Sequence, residues 1–206
     1  STKDVGIGVV TLTGATLGGL DAGNYVLSPA AITTTASITA KAITGGFAAA
    51  DRVYNGNTSA TVTGTSLNGV ILADQAFVSL TGGTATFADK NVGNKTVTLA
   101  GATLSGTAAG NYALTSVATD QANITALGIT GNFTAASKGY DGGTVAGVVT
   151  RTLTGAIQGD VVSLSGGTAA FSDANAGNLK TVTLTGATLS GADQGNYTLS
   201  LSPITT

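Results

Sequence analysis

The sequence of 206 residues contains no cysteine, no histidine, no methionine and no tryptophan, and only 2 prolines. Without cysteine there are no disulfides and no thiolate metal sites. Without histidine, zinc catalysis, Ser-His activation of a nucleophile and imidazole acid–base chemistry lose their usual agents. No enzyme is expected. Charged residues make up 9% of the chain, far below the usual quarter or so. The 8 lysines and arginines are scattered, so there is no basic patch to release counterions from a nucleic acid. No apolar run approaches the ~18 residues of a membrane span, and no signal-peptide pattern is visible.

What is present is a β composition. Hydrophobic residues reach 42% although aromatics are only 5%, and Gly occurs 31 times. The core must be built from Val, Leu, Ile and Ala, in β-branched runs punctuated by Gly turns.

Internal repetition dominates the chain. LTGATLGG at 12–19, LAGATLSG at 99–106 and LTGATLSG at 184–191 recur at intervals of 87 and 85. VSLTGGTATF (78–87) returns as VSLSGGTAAF (162–171), VYNGNT (53–58) as GYDGGT (139–144), and ITAKAITGGF (38–47) as ITALGITGNF (124–133). The period of about 86 residues is the size of a small domain. Residues 1–40 align with the C-terminal half of a repeat, 41–126 form a complete repeat, and 127–206 form a third that lacks the counterpart of Ala122–Thr125. Two explanations stand for the incomplete ends. The favoured one is a window onto a longer repetitive protein. The alternative is that the ends complement each other, or neighbouring repeats of identical chains, by β-strand addition.

Helical spacing is absent and strand alternation is everywhere. In KTVTL (95–99), Val97 and Leu99 point one way and Thr96 and Thr98 the other. The middle repeat reads as strands near 42–47, 51–54, 59–64, 76–81, 84–88, 95–100, 102–105, 111–116 and 120–125, some of them merging. Gly82-Gly83 and Gly166-Gly167 read as hairpin turns. The fold class expected is all-β, as tandem immunoglobulin-like β-sandwich repeats.

Gly-Asn-Tyr occurs three times, ending at Tyr25, Tyr112 and Tyr197, although the chain has only 5 tyrosines. In immunoglobulin-type sandwiches a tyrosine at a corner bonds back to the backbone and a core residue follows two positions later. Here Leu27, Leu114 and Leu199 take that later position. The three tyrosines are therefore assigned as structural corners, with Gly for the tight turn and Asn to cap it.

With VYNGNT, FADKNVGNKTV and LAGATLSGTAAGNY in view, together with their counterparts in the third repeat, the chain resembles the YDG domains of large bacterial surface proteins. The resemblance spans essentially the whole sequence. It departs at Asn55, where the family typically has Asp, and at Asp173–Gly177, which lacks the Lys and Val of the second repeat. It implies an extracellular, immunoglobulin-like module arrayed in tandem in long adhesins and filamentous-haemagglutinin-like exoproteins, with no catalytic residues.

The remaining polar clusters have modest chemistry. Asp141 in GYDGG is matched by Asn55, an exchange that suits an Asx-turn and not a catalytic carboxylate. Asp89 and Asn91, with Asp173 and Asn175, resemble the front half of a Ca²⁺ loop without its closing Glu; the first repeat has Thr2 and Asp4 at these places. Calcium is thus the one conceivable cofactor, and a polar hairpin turn is the plainer reading. Lys90, Lys95 and Lys180 alternate with core positions and are expected to be exposed, which argues against intramolecular isopeptide bonds to Asn. The expected function is structural: a repeat module of an extracellular adhesin stalk or filament at the bacterial cell surface. The alternative is a binding module that uses a Thr-rich strand face (Thr61–Thr63, Thr96–Thr98, Thr181–Thr183) for glycan, ice or a host receptor.

Overall fold

In the computed structural model every regular element is a strand or a single 3₁₀ turn. The structure describes residues 3–28, 31–200 and 204–205. The expected segments 1–40 and 127–206, and Thr2 of the candidate cation loop, therefore fall partly outside the described residues. The strands are, in chain order, β1 (Gly6–Thr13) and β2 (Ala31–Ile38) in the first, partial repeat. In the middle repeat they are β3 (Lys41–Ala49), β4 (Arg52–Val53), β5 (Val62–Asn68), β6 (Ser79–Phe87), β7 (Gly93–Ser105), β8 (Tyr112–Val117) and β9 (Asp120–Thr125). The third repeat has β10 (Leu127–Ala135), β11 (Val145–Ala146), β12 (Val148–Thr154), β13 (Ser163–Phe171), β14 (Val182–Ser190), β15 (Tyr197–Leu199) and β16 (Ile204–Thr205).

The chain forms two compact units whose boundaries fall inside the middle repeat and not between repeats. The first unit comprises residues 1–48, 64–84 and 99–119; the second comprises 49–63, 85–98 and 120–206. Each unit therefore contains one meeting of consecutive repeats.

In the first unit β1 and β2 pair antiparallel from Gly6 opposite Ile38 to Thr13 opposite Ala31. Both are exposed almost throughout, because half a repeat has no second layer to cover them. β3 pairs parallel with β8, from Lys41 opposite Tyr112 to Gly45 opposite Val117. A parallel pair needs a long crossover, which the intervening strands of the repeat supply. Ile43, Val78, Ala108 and Tyr112 form the buried cluster here, with Leu67, Val70, Leu104 and Ala109 packed against it.

The second unit repeats the pattern. β10 pairs antiparallel with β12 and parallel with β15, Leu127 lying opposite Tyr197. β13 and β14 form a long antiparallel ladder, flanked by β11 and β16. Phe133, Ala146, Leu164, Ala169, Val182 and Leu184 build the core. At ~1.5–3 kcal/mol for each large side chain buried, Phe133, Leu164 and Leu184 carry most of its hydrophobic stabilisation. β10 shows how the sequence specifies this: Ile129, Gly131 and Phe133 face inward while Thr130, Asn132 and Thr134 face out, the period of two that a one-sided strand requires.

One expectation fails. Gly82-Gly83 and Gly166-Gly167 are not hairpin turns; they lie inside β6 and β13. All four have φ between 67° and 85°, so each pair kinks a continuous strand. The close approach of backbone explains the choice of Gly. A Cβ on Gly167 would stand 2.9 Å from the Ala187 nitrogen and from the Thr185 oxygen, and one on Gly83 would stand 3.0 Å from the Ala100 oxygen. The expected strands at 76–81 and 84–88 are accordingly one strand, as are those at 95–100 and 102–105.

Candidate functional site

The polar residues that recur between repeats meet where one repeat adjoins the next. In the second unit Asp160 lies at the centre, its side chain 4% exposed. Its Oδ2 accepts hydrogen bonds from the hydroxyls of Tyr197 (2.5 Å) and Tyr54 (2.7 Å), and its Oδ1 accepts one from Lys90 Nζ at 2.8 Å. Tyr54 and Lys90 belong to the middle repeat; Asp160 and Tyr197 belong to the third. The Tyr197 hydroxyl also accepts the Ile157 backbone N–H. The Tyr54 and Tyr197 rings meet edge to face, 5.5 Å between centroids, and Lys90 Nζ lies over the Tyr54 ring. Asp193 adds a second carboxylate, 3.5 Å from Lys90 Nζ.

Asn196 completes the lock. Its Oδ1 accepts the Val92 backbone N–H at 2.9 Å, and its Nδ2 donates to Asn91 Oδ1 at 3.1 Å. The 3₁₀ turn Gln194–Asn196 sets this side chain against the Lys90–Val92 loop immediately before β15 begins at Tyr197.

The first unit holds the same arrangement. Asp74 accepts from Lys3 Nζ (3.0 Å) and the Tyr112 hydroxyl (2.9 Å), and that hydroxyl accepts the Ile71 N–H. Asn111 Oδ1 accepts the Val5 N–H at 2.8 Å and its Nδ2 donates to Asp4 at 3.0 Å. Residue for residue, Lys3, Asp74, Asn111 and Tyr112 correspond to Lys90, Asp160, Asn196 and Tyr197.

Electrostatics follow from these contacts. Burial alone would raise the Asp160 carboxyl, but the hydrogen bonds from Lys90, Tyr197 and Tyr54 outweigh it and hold it at about 2. Burial, and then the neighbouring Asp160, push the Tyr197 phenol up to about 12. Lys90 is raised by its bond to Asp160. Asp74 is lowered, first by Lys3 and then by Tyr112.

Of the assigned corner tyrosines, Tyr112 and Tyr197 are buried and engaged as described. Tyr25 is 70% exposed; the sequence given holds no counterpart of Asp74 for its repeat. The candidate calcium residues form turns. Asp89 Oδ1 accepts the Asn91 N–H and Asp173 Oδ1 the Asn175 N–H, both at 2.8 Å. Lys95 pairs with Asp89 at 2.9 Å, and Lys180 pairs with Asp173. A lysine ammonium thus already sits on each carboxylate. Among the described residues no three His, Cys, Asp or Glu converge as a metal site would require. Asp141 and Asn55 make the same kind of turn, accepting the N–H of Gly143 and Asn57 respectively.

Lys90, Lys95 and Lys180 are not the exposed lysines expected; their side chains are 36%, 22% and 18% exposed, each held by aspartate. Asp74 and Asp160 were missed as site residues. The signal for them was available: they stand 86 positions apart, at the same place in the repeat, whereas Asp141 and Asp193 change to Asn55 and Ala108.

The family pattern of the YDG domain matches the chain twice, over residues 39–122 and 121–206. No curated protein and no solved structure matches it.

Proposed function

Because this chain belongs to the YDG-domain family, we propose that it is a non-catalytic structural module: tandem immunoglobulin-like β-sandwiches of about 86 residues that form the stalk or filament of an extracellular bacterial adhesin. The observation that carries this reading is the recurrence of one polar lock at both meetings of repeats, built from the same positions. A ligand site is needed once, at a tip. A fastening is needed at every joint.

Three further features support it. The connections SITAKAIT and NITALGIT hold no Pro- or Ser-rich linker, so coupling is stiff. The chain lacks His and Cys, and the cluster of tyrosine, lysine and aspartate is closed upon itself, with each polar atom answering another. The threonines of the strand faces pair across strands, Thr86 with Thr98, Thr134 with Thr150 and Thr168 with Thr185, which turns their hydroxyls toward each other and away from a glycan or ice lattice.

Imaging of the native assembly tests the proposal. The expected result is a regular string of beads at a cell surface, spaced ~40 Å apart for strands of ~17–20 Å with loops at both ends. A compact monomer that binds a glycan array tightly would overturn it.

A further inference from the structure

The third repeat carries an open groove where the middle repeat carries a strand. In the middle repeat β9 runs antiparallel to β7, with Gly93 opposite Ile124 and Val97 opposite Asp120, and parallel to β4, with Arg52 opposite Ile124. Ala122 and Ile124 are buried there. The Tyr54 N–H donates to the Thr125 carbonyl at 2.8 Å, and Asp51 accepts the Asn123 N–H at 2.6 Å.

The walls of this seat are reproduced in the third repeat. Val182 stands for Val97, both buried. Lys138 lies over the Phe171 ring at 5.6 Å as Arg52 lies over Phe87 at 4.9 Å. Between the walls there is a cavity of about 550 Å³, lined by Ala135, Lys138, Tyr140, Phe171 and Val182 among others. Tyr140 is 75% exposed although its counterpart Tyr54 is 2% exposed. The ladder also stops short. β7 begins at Gly93, but β14 begins only at Val182, leaving the counterpart segment from Gly177 to Thr181 without a strand partner; β16 reaches only Thr183 and Leu184.

We infer that this groove is a receptor for an extended segment of another molecule, running antiparallel to β14, with Ala and Ile two residues apart facing in and polar residues between them. The backbone edge at Gly177–Val182 supplies the ladder, the N–H of Tyr140 supplies the end contact, and the cavity takes the two apolar side chains, the division of labour between main chain and pockets that strand addition uses. Leu179 has no counterpart in the middle repeat and is the one described non-glycine residue with positive φ, 55°. It enters the new ladder as a bulge. The inference rests on the equivalence of the repeats and stands apart from the stalk reading.

The test uses the 206-residue chain and a labelled peptide of residues 120–126, DQANITA. Expected are saturable binding by fluorescence anisotropy, new amide-exchange protection at Lys180–Val182, and affinity at least about tenfold weaker for the Ile124→Asp peptide, since a carboxylate would enter an apolar seat. A chain lengthened after Thr206 by residues 122–126, which continue the register set by Tyr112 and Tyr197, should fill its own groove and lose the peptide. No saturable binding, equal binding of the Ile124→Asp peptide, binding without protection at Lys180–Val182, or undiminished binding to the lengthened chain would each overturn the inference. None of these outcomes would alter what imaging of native strings reports on the stalk.

Discussion

The two locks share a plan and differ in completeness. At Asp160 two tyrosines and a lysine converge, and the Lys90 side chain is 36% exposed. At Asp74 there is one tyrosine, and Lys3 is 73% exposed. The missing partner is the counterpart of Tyr54, which lies in the first half of a repeat, and the first repeat here consists only of its second half. The comparison teaches that a joint draws on both halves of the preceding repeat: the late loop gives Lys and Asn or Asp, and the YNG segment gives the second hydroxyl.

The largest effect should come from Asp160→Ala. It leaves Lys90 and two buried hydroxyls without their acceptor, and breaking such a partly buried ionic cluster from one side costs about 3 kcal/mol. Denaturant unfolding should show this loss, with a clearly smaller shift for Asp74→Ala; equal shifts would mean that the second tyrosine adds nothing. Next, Tyr197→Phe removes a hydrogen bond to a charged group and should cost about 1.5 kcal/mol.

Tyr54→Phe should cost about 1 kcal/mol and turn the second lock into a likeness of the first. Tyr25→Phe, at the exposed copy of the same motif, should leave the melting temperature unchanged. A fall there would show a partner for Tyr25 that the comparison does not contain.

Acid should separate the locks more gently. The Asp160 carboxyl is depressed from 3.8 to about 2. Its contribution is complete above the unfolded value and is lost as pH falls from about 4 through about 2. Asp74 is depressed in the same sense, with one fewer tyrosine to hold it. NMR signals of Val5 and Val92, the amides gripped by Asn111 and Asn196, should therefore report release of the first lock before the second as pH is lowered. The smallest effect is that of salt: the exposed Lys3 ammonium is screened more readily than Lys90, so moderate ionic strength should loosen Val5 ahead of Val92.

Much of this was legible in the sequence, for physical reasons. Alternation such as that of Ile129, Gly131 and Phe133 declares a strand with one buried face, and repetition of whole strings declares the modules. The Gly-Asn-Tyr strings pointed to a recurring structural position. What the string could not disclose is that Asn111 and Asn196 reach across to the preceding repeat, because a cap on a local turn and a clamp on a distant loop require the same side chain. The Gly pairs misled for a related cause: a kinked strand and a hairpin both need positive φ, and only the 2.9 Å approach of neighbouring backbone to Gly167 tells them apart. The buried aspartates went unnoticed because a short polar residue in a loop ordinarily faces water.

Each lock takes its cation from the earlier repeat and its carboxylate from the later one. The fastening therefore has a direction. A chain that emerges amino end first presents a lysine loop that stays open until the following repeat has folded, and each repeat on folding secures its predecessor. Such a polypeptide consolidates stepwise behind its own growing or exported end, in the manner of a ratchet, and the repeat most recently delivered is always the least secured.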